Sequence, residues 1–173
     1  MKRRSLLVRM GLAALICPTS LVATAHAQTG LLTRESPTQR NKNLVRRWIE
    51  EGFNKQRLLV VDELFAERFV VNGQLIGRDG LKQSMTRHFN GFPDLHVTID
   101  DILAEGTKVA VWYTVEGTHR GEFEVVAPTG KHVKWSGSDL FTIESGKISE
   151  ARFLSDLFGL LRQLGANVSA GSR

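Results

Sequence analysis

The chain has 173 residues, of which 42% are hydrophobic and 24% are charged, and its formal net charge is +5. Four of the 23 basic residues and none of the 18 acidic residues precede Gln28, so residues 28–173 carry a net charge of only +1. This balance lacks the basic face that nucleic-acid binding requires. The single cysteine, Cys17, also precedes Gln28, which excludes disulfides, thiolate metal sites and cysteine nucleophiles from the later part of the chain.

The first 27 residues have the pattern of a secretory signal peptide. A basic head within residues 2–9 precedes an apolar stretch over 6–16, and residues 25–27 form an A-x-A cleavage pattern. The apolar stretch is too short to span a bilayer. Arg3 and Arg4 also fit a twin-arginine export signal, although an ordinary signal with a basic head explains them equally well. We predict an exported protein, periplasmic or secreted, with no membrane association in its mature form.

The remaining residues suit one domain with one core. Residues 28–38 have turn-type composition and predict a flexible leader, and residues 166–173 predict a flexible polar tail. The folded domain is therefore expected over residues 39–165.

Helices are predicted first along the domain. Apolar residues recur at intervals of three and four over residues 39–54, which indicates an amphipathic helix, and a shorter helix is predicted over 58–65. A short strand is predicted over residues 69–71. Residues 77–80 introduce a third helix, whose apolar face includes His88.

After residue 94 the apolar residues alternate with polar ones. Strands are predicted over 95–100, 109–119, 131–144 and 148–153, with tight turns between them, and Ser155-Asp156 then begins a short helix that Gly165 ends. Helices followed by strands joined through short turns predict an α+β domain: three N-terminal helices packed on a curved, mostly antiparallel sheet.

Strand periodicity separates the side chains that face the core from those that face outward. Asp139 interrupts an otherwise apolar face of its strand, and Tyr113 and His119 share the core face of theirs. Trp112 points the other way. We expect Trp112 to contact a second subunit, because exposed apolar surface on a sheet commonly marks an interface. The alternative is that a loop of its own chain covers it.

Three segments resemble a known family: GTHRGEF at residues 117–123, PTGK at 128–131 and DLFGLLRQLG at 156–165. Together with the strands around them they are similar to the SnoaL-like polyketide (ester) cyclases of the nuclear-transport-factor-2-like superfamily, over about residues 41–165. The resemblance implies a cone-shaped α+β barrel, a strongly bent sheet that encloses one pocket. It also implies a cofactor-free intramolecular aldol ring closure with an aspartate as general acid/base. The matching aspartate is Asp156, and the assisting histidine is expected to be His119.

Simple chemistry favours a second carboxyl in the same pocket. A carboxylate in an apolar pocket has a raised pKa and becomes a better base, and a neutral carboxylic acid could donate a hydrogen bond to a developing enolate. Asp139 and Asp156 fit these paired roles, with Tyr113 or His119 as further donors. The alternatives are that Asp156 only caps its helix, that Asp139 pairs with Arg152 or a histidine, and that His119 is a wall residue.

Other side chains are candidates for binding a substrate. Relatives often have Trp at the position of Arg152 and a polar residue at that of Trp112, and Arg152 would bind an acidic group or hold Asp156 ionised if it pointed inward. We expect substrate contacts from Tyr113, Trp135, Arg152, Phe141, Trp48 and Phe53. The histidines lack metal-ligand spacing, so no metal and no cofactor are expected.

The sequence is compatible with three functions. The first is an exported cofactor-independent enzyme that acts on a small apolar carbonyl compound, by cyclisation or isomerisation. The second is a non-catalytic domain that binds a small hydrophobic molecule. The third is a dimeric scaffold with a filled cone and no ligand.

Overall fold

The structure is a computed structural model that describes residues 35–124 and 126–166. The predicted signal peptide, most of the predicted leader and all but the first residue of the predicted tail lie outside the described residues. Within the described ranges, no helix is long and apolar enough to cross a membrane.

The first helical segment combines two kinds of helix. Helix α1, Pro37–Arg47, continues directly into a π-helical segment, Trp48–Asn54. Helix α1 begins two residues before the predicted position because Ser36 caps it: the Ser36 hydroxyl accepts a hydrogen bond from the Gln39 backbone N–H at 3.1 Å. The end of the predicted flexible leader is therefore helical.

The next elements bring the chain across to the sheet. They are α2 (Val60–Leu64), β1 (Phe65–Val71), β2 (Gln74–Leu75) and α3 (Gly77–Gly91). The third predicted helix is confirmed, whereas β1 is longer than the predicted strand and follows α2 without a loop.

The second half of the domain supplies most of the sheet. Its elements are β3 (His96–Glu105), β4 (Lys108–Thr118), β5 (His132–Glu144), β6 (Lys147–Ser155) and α4 (Leu157–Leu164). Ser145 and Gly146 both have positive φ, +49° and +74°, in the predicted turn between β5 and β6. Two such residues in a two-residue hairpin loop match the right-handed twist of the strands.

The six strands form one open sheet in the order β2-β1-β6-β5-β4-β3. The pairing of β1 with β6 is parallel and the other four are antiparallel, so the predicted α+β architecture is confirmed with a mixed sheet. We call the face that packs against α1, the π-helical segment and α3 the inner face. Its buried side chains include Val109, Val111, Val133 and Phe141.

Candidate active site

A cavity of about 220 Å³ lies between the helices and the inner face of the sheet. Most of its wall is apolar, and its polar side chains are His88, Tyr113, Asp139 and Ser155. The cavity is lined by Trp48, Ile49, Phe53, Leu81, His88, Leu95, Val97, Tyr113, Val115, Trp135, Asp139, Phe153 and Ser155. An apolar cavity with a few polar groups is the usual form of a small-molecule site.

Asp139 and Tyr113 form a hydrogen-bonded pair on the sheet wall of the cavity. The Tyr113 hydroxyl donates to Oδ1 of Asp139 at 3.1 Å. In the strand register Tyr113 lies directly opposite Gly137, and Asp139 follows two residues later on the same face of β5. The pair is therefore diagonal across two strands, a separation that a long aromatic side chain can bridge.

Gly137 makes this diagonal contact possible. A Cβ atom at position 137 would lie 2.5 Å from the Tyr113 hydroxyl oxygen and 2.6 Å from its Cζ. Both distances are shorter than van der Waals contact, so any side chain at this position would displace the tyrosine ring. The absence of a side chain at residue 137 lets Tyr113 cross β5 and reach the carboxyl of Asp139.

Burial changes the acid–base properties of both partners. Desolvation raises the pKa of Asp139 to about 7, while the hydrogen bonds from Tyr113 and from the backbone of Leu154 act in the opposite direction. Burial and then the charge of Asp139 raise the pKa of Tyr113. At neutral pH the Asp139 carboxyl can therefore both accept and release a proton, whereas Tyr113 stays protonated and keeps its proton for hydrogen bonding.

His88 lies on the helical wall of the cavity, on α3. Its Nδ1 is 2.8 Å from the backbone oxygen of Ser84, and its ring packs against Phe123 with 5.2 Å between centroids. Burial lowers the pKa of His88. Sequence periodicity predicts that His88 lies on the core face of this helix, but it predicts no role for the side chain. The available signal was its helical spacing from Leu81 and Met85.

The aromatic side chains predicted to contact a substrate lie in two different environments. Trp48, Phe53 and Trp135 line the cavity with Tyr113. Phe141 does not line it, because its side chain is fully buried in the core and packs against Phe153 with 6.0 Å between ring centroids. Phe153, which was not predicted, takes the lining position instead.

Arg152 does not point into the cavity. Its side chain is 72% exposed and contacts Glu150 at 3.6 Å. Arg152 pairs with Leu140 of β5, whereas the neighbouring cavity residues Asp139 and Phe153 pair with each other and face the opposite side of the sheet. The expected contact of Arg152 with an acidic group in the pocket, or with Asp139, is therefore wrong.

Asp156 lies outside the cavity. It follows Ser155, the last inner-face residue of β6, and its Oδ1 accepts a hydrogen bond from the Gly159 backbone N–H at 2.8 Å, which caps α4. The exposed side chain borders a second groove, on the outer face, together with Trp112 and Leu154. The expected convergence of Asp156 with Asp139 is not found, since the chain turns into α4 immediately after the strand.

His119 also lies outside the cavity, fully buried behind Phe92. The Thr129 backbone N–H donates to its Nδ1 at 3.3 Å, and its backbone exchanges hydrogen bonds with Gly130 and Lys131 at 2.9 Å each. These contacts anchor the loop between β4 and β5. The expected approach of His119 to the carboxylates is wrong, and the wall-residue alternative is wrong too, because His119 does not line the cavity. Burial lowers the pKa of this histidine.

Trp112 is 46% exposed on the outer face, so no loop in the described part of the chain covers it. Leu103 and Leu154 are likewise uncovered by any described loop, with 56% and 71% of their surface exposed. Among the described residues, no three His, Cys, Asp or Glu side chains gather in a group that could hold a metal ion.

An open six-stranded sheet with helices on its inner face and an apolar cavity between the two defines the cone fold of the nuclear-transport-factor-2-like superfamily. More specifically, the chain belongs to the SnoaL-like polyketide cyclase family, whose model matches residues 43–164. No match was found among curated proteins.

Solved structures agree with this family. One is assigned as a SnoaL-like polyketide cyclase from Jannaschia sp. CCS1, with 28% identity, a TM-score of 0.70, and coverage of 77% of this chain and 97% of that one. IdmH from Streptomyces antibioticus, assigned as a polyketide cyclase, has 28% identity, a TM-score of 0.65 and coverage of 73% and 99%. AclR from Streptomyces galilaeus, assigned as a hydroxylase, has 27% identity, a TM-score of 0.68 and coverage of 74% and 97%.

Proposed function

We propose that the protein is a cofactor-independent enzyme that acts on a small apolar carbonyl compound, with Asp139 as its general acid/base. The observation that carries this proposal is the Asp139–Tyr113 pair in the wall of an apolar cavity. Membership of a cyclase family supports the reaction class, an aldol-type cyclisation or an isomerisation. Because one fold serves several chemistries, the proposal depends on the site more than on the family.

The proposed reaction begins with proton transfer from carbon. The Asp139 carboxylate takes a proton from the carbon next to a carbonyl group. As Asp139 becomes neutral, the single proton of the Tyr113 hydroxyl turns from Oδ1 of Asp139 to the developing enolate oxygen and donates a hydrogen bond there. In a cyclisation the enolate carbon then attacks a second carbonyl of the same molecule. The neutral Asp139 carboxyl returns its proton to the resulting alkoxide, so that no electron acceptor is required.

The family resemblance assigns the proton transfer to Asp156, whereas the geometry favours Asp139. Asp139 is mostly buried beside the cavity and has a pKa raised to about 7, which suits a general base working near neutral pH. Asp156 is exposed and already accepts a hydrogen bond from its own helix. The two aspartates therefore make a matched pair for mutagenesis.

Proton exchange of a simple ketone tests this assignment directly. Acetophenone in D₂O, followed by ¹H NMR, reports removal of the methyl protons next to the carbonyl. We expect the wild-type protein to accelerate deuterium incorporation, Asp139→Asn to lose about 10²- to 10⁴-fold of that acceleration, and Asp156→Asn to stay within about twofold of wild type. The wild-type rate should rise with pH and level off above about pH 7.

Other outcomes would contradict the assignment in distinct ways. Loss of exchange in Asp156→Asn with retention in Asp139→Asn would return the role to Asp156. Tight binding of acetophenone by the wild-type protein with no exchange would favour the non-catalytic binding domain. Circular dichroism of each variant controls for loss of folding.

We also propose that the protein forms a homodimer through the outer face of the sheet. Trp112 and Leu154 lie in one row across β4, β5 and β6, on either side of Ser138. Apolar residues that stay exposed in such a row are suited to meet the same row of a second copy, because a twofold interface joins identical patches.

Export is proposed on sequence grounds. The A-x-A pattern at residues 25–27 supports cleavage before Gln28. Mass spectrometry of protein recovered from the periplasm or medium of a bacterial host should give a chain that begins at Gln28. A cytoplasmic, uncleaved product in that host would contradict export.

A further inference from the structure

The proposed proton transfer leaves His88 without a role, although its ring lines the same cavity. Asp139 and Tyr113 lie on the sheet wall, on β5 and β4, whereas His88 belongs to α3 in the helical wall. Most of the remaining wall is apolar. The cavity thus offers polar groups from two different layers of the fold.

The hydrogen bond to Ser84 fixes which nitrogen of His88 carries the proton. A backbone carbonyl oxygen can only accept, so Nδ1, at 2.8 Å from it, must be the donor. Burial lowers the pKa of the ring and the nearby charge of Arg87 acts in the same direction, whereas the hydrogen bond with Ser84 and the charge of Glu124 oppose them. The ring is therefore neutral at pH 7, with a lone pair on Nε2.

No described residue forms a hydrogen bond with that Nε2 atom. Within the same residues it is also not fully buried without a partner, whereas Nε2 of His119 is. The contact with Phe123 and the bond to Ser84 hold the ring in place. A fixed acceptor of this kind on a cavity wall favours a ligand that brings a donor.

We propose that His88 is a specificity residue that accepts a hydrogen bond from a hydroxyl group of the ligand. The ligand is then a small ketone with a hydroxyl group remote from its carbonyl: the carbonyl contacts the Asp139–Tyr113 pair and the hydroxyl contacts His88. Only the position of the carbonyl rests on the proposed function. A ligand without the hydroxyl leaves Nε2 desolvated and unpaired, which is the source of discrimination.

A pair of probes that differ only in this hydroxyl tests the proposal. Titration calorimetry with 4-hydroxyacetophenone and acetophenone should show that the wild-type protein binds the hydroxylated ketone about five- to tenfold more tightly, the contribution of one neutral hydrogen bond. His88→Phe keeps a ring of similar shape and should bind both ketones equally. His96→Phe, at an exposed position of β3, is the matched control and should keep the wild-type preference.

A spectroscopic measurement tests the tautomer independently of affinity. In ¹⁵N NMR the His88 ring should show a protonated Nδ1 and an unprotonated Nε2 at pH 7, and the Nε2 signal should move with 4-hydroxyacetophenone but not with acetophenone. A proton on Nε2, equal binding of the two ketones by the wild-type protein, or a preference that survives in His88→Phe would each overturn the proposal.

The two proposals fail separately. Exchange that does not depend on Asp139 would refute the proposed general base, and it would leave the hydroxyl preference and its loss in His88→Phe unchanged. Conversely, a protein that exchanges ketone protons through Asp139 but binds both ketones equally would refute the role of His88 alone.

Discussion

Strands β4, β5 and β6 carry polar groups on both faces, in opposite surroundings. On the inner face, Asp139 is mostly buried, accepts one side-chain hydrogen bond and has a raised pKa. On the outer side, where β6 ends, Asp156 is exposed and is held by the N-terminus of α4. The same type of side chain is thus a candidate proton carrier in one place and a helix cap in the other, because Asp139 lies in the cavity wall and Asp156 is exposed at the start of a helix.

The aromatic residues of β4 also differ in burial between the two faces of the sheet. Tyr113 is partly buried in the cavity wall, whereas its neighbour Trp112 is 46% exposed on the outer face. One strand therefore contributes to two surfaces, a site for a small molecule and a patch suited to a second subunit. Variants on each face should affect one of these surfaces and spare the other.

The largest expected effect concerns the outer face. Trp112→Arg places a charge at the centre of the proposed interface, so we expect the dimer to dissociate to a monomer at micromolar concentration while ketone exchange persists. Sedimentation velocity measures the change. Leu59→Arg is the matched control, since Leu59 is 68% exposed in a different part of the domain. A wild-type monomer, or dissociation of both variants, would argue against this interface.

The second effect concerns the buried carboxyl. Because the pKa of Asp139 is raised from 3.8 to about 7, the folded state binds more protons than the unfolded state between these pH values. The free energy of unfolding should therefore fall as pH rises through this window, by up to about 4 kcal/mol, and level off above it.

The Asp139→Asn variant isolates this contribution, because His88 and the other titrating groups are common to both proteins. Urea unfolding at pH 4 to 8 should show that the variant gains stability relative to wild type as pH rises. A constant difference across the range would mean that Asp139 titrates normally in the folded protein.

A smaller effect tests how Tyr113 reaches Asp139. Gly137→Ala crowds the Tyr113 ring, and overpacking of this kind costs about 1–3 kcal/mol. In a Tyr113→Ala background the ring is gone, so the same substitution should cost almost nothing. Ser138→Ala, the next residue on the opposite face of β5, serves as control and should change stability by less than about 0.5 kcal/mol. Equal costs of Gly137→Ala in the two backgrounds would exclude the proposed crowding.

Much of the fold could be predicted because its signals are local. Alternation along β4 and β5 gave the faces of Tyr113, Trp112 and Asp139, and turn residues gave the hairpin at Ser145 and Gly146. The parallel pairing of β1 with β6 had no local signal, because it joins strands that are distant in the chain.

The candidate site was less predictable because it depends on which side chains meet across layers. Periodicity predicted His119 on the core face of a strand, but β4 ends at Thr118 and His119 lies in the loop that follows. Phe92 separates it from the cavity residue Trp135, with ring centroids 5.3 Å away on each side. His88 occupies a position on the apolar face of α3, where periodicity alone indicates a core residue. The role of Gly137 required the register of β4 against β5, which no single strand contains.

Two features of the sequence predict different roles for Asp156: the local pattern of a helix N-cap and the family motif that begins at this residue. The capping hydrogen bond to Gly159 accounts for this aspartate without any catalytic role. Asp156→Ala should lower the free energy of unfolding by about 1 kcal/mol, whereas Asp156→Asn, which can still cap, should lose only a few tenths. Thermal unfolding measures both.

Ketone exchange in the same two variants completes this comparison. If Asp156 only caps α4, exchange measured well below the unfolding temperature should be unchanged in both. A loss of exchange in Asp156→Asn that exceeds its small loss of stability, together with the expected loss in Asp139→Asn, would instead show that a change in the outer groove alters the cavity. Tyr113 and Ser155 border both spaces and are the residues through which such communication would pass.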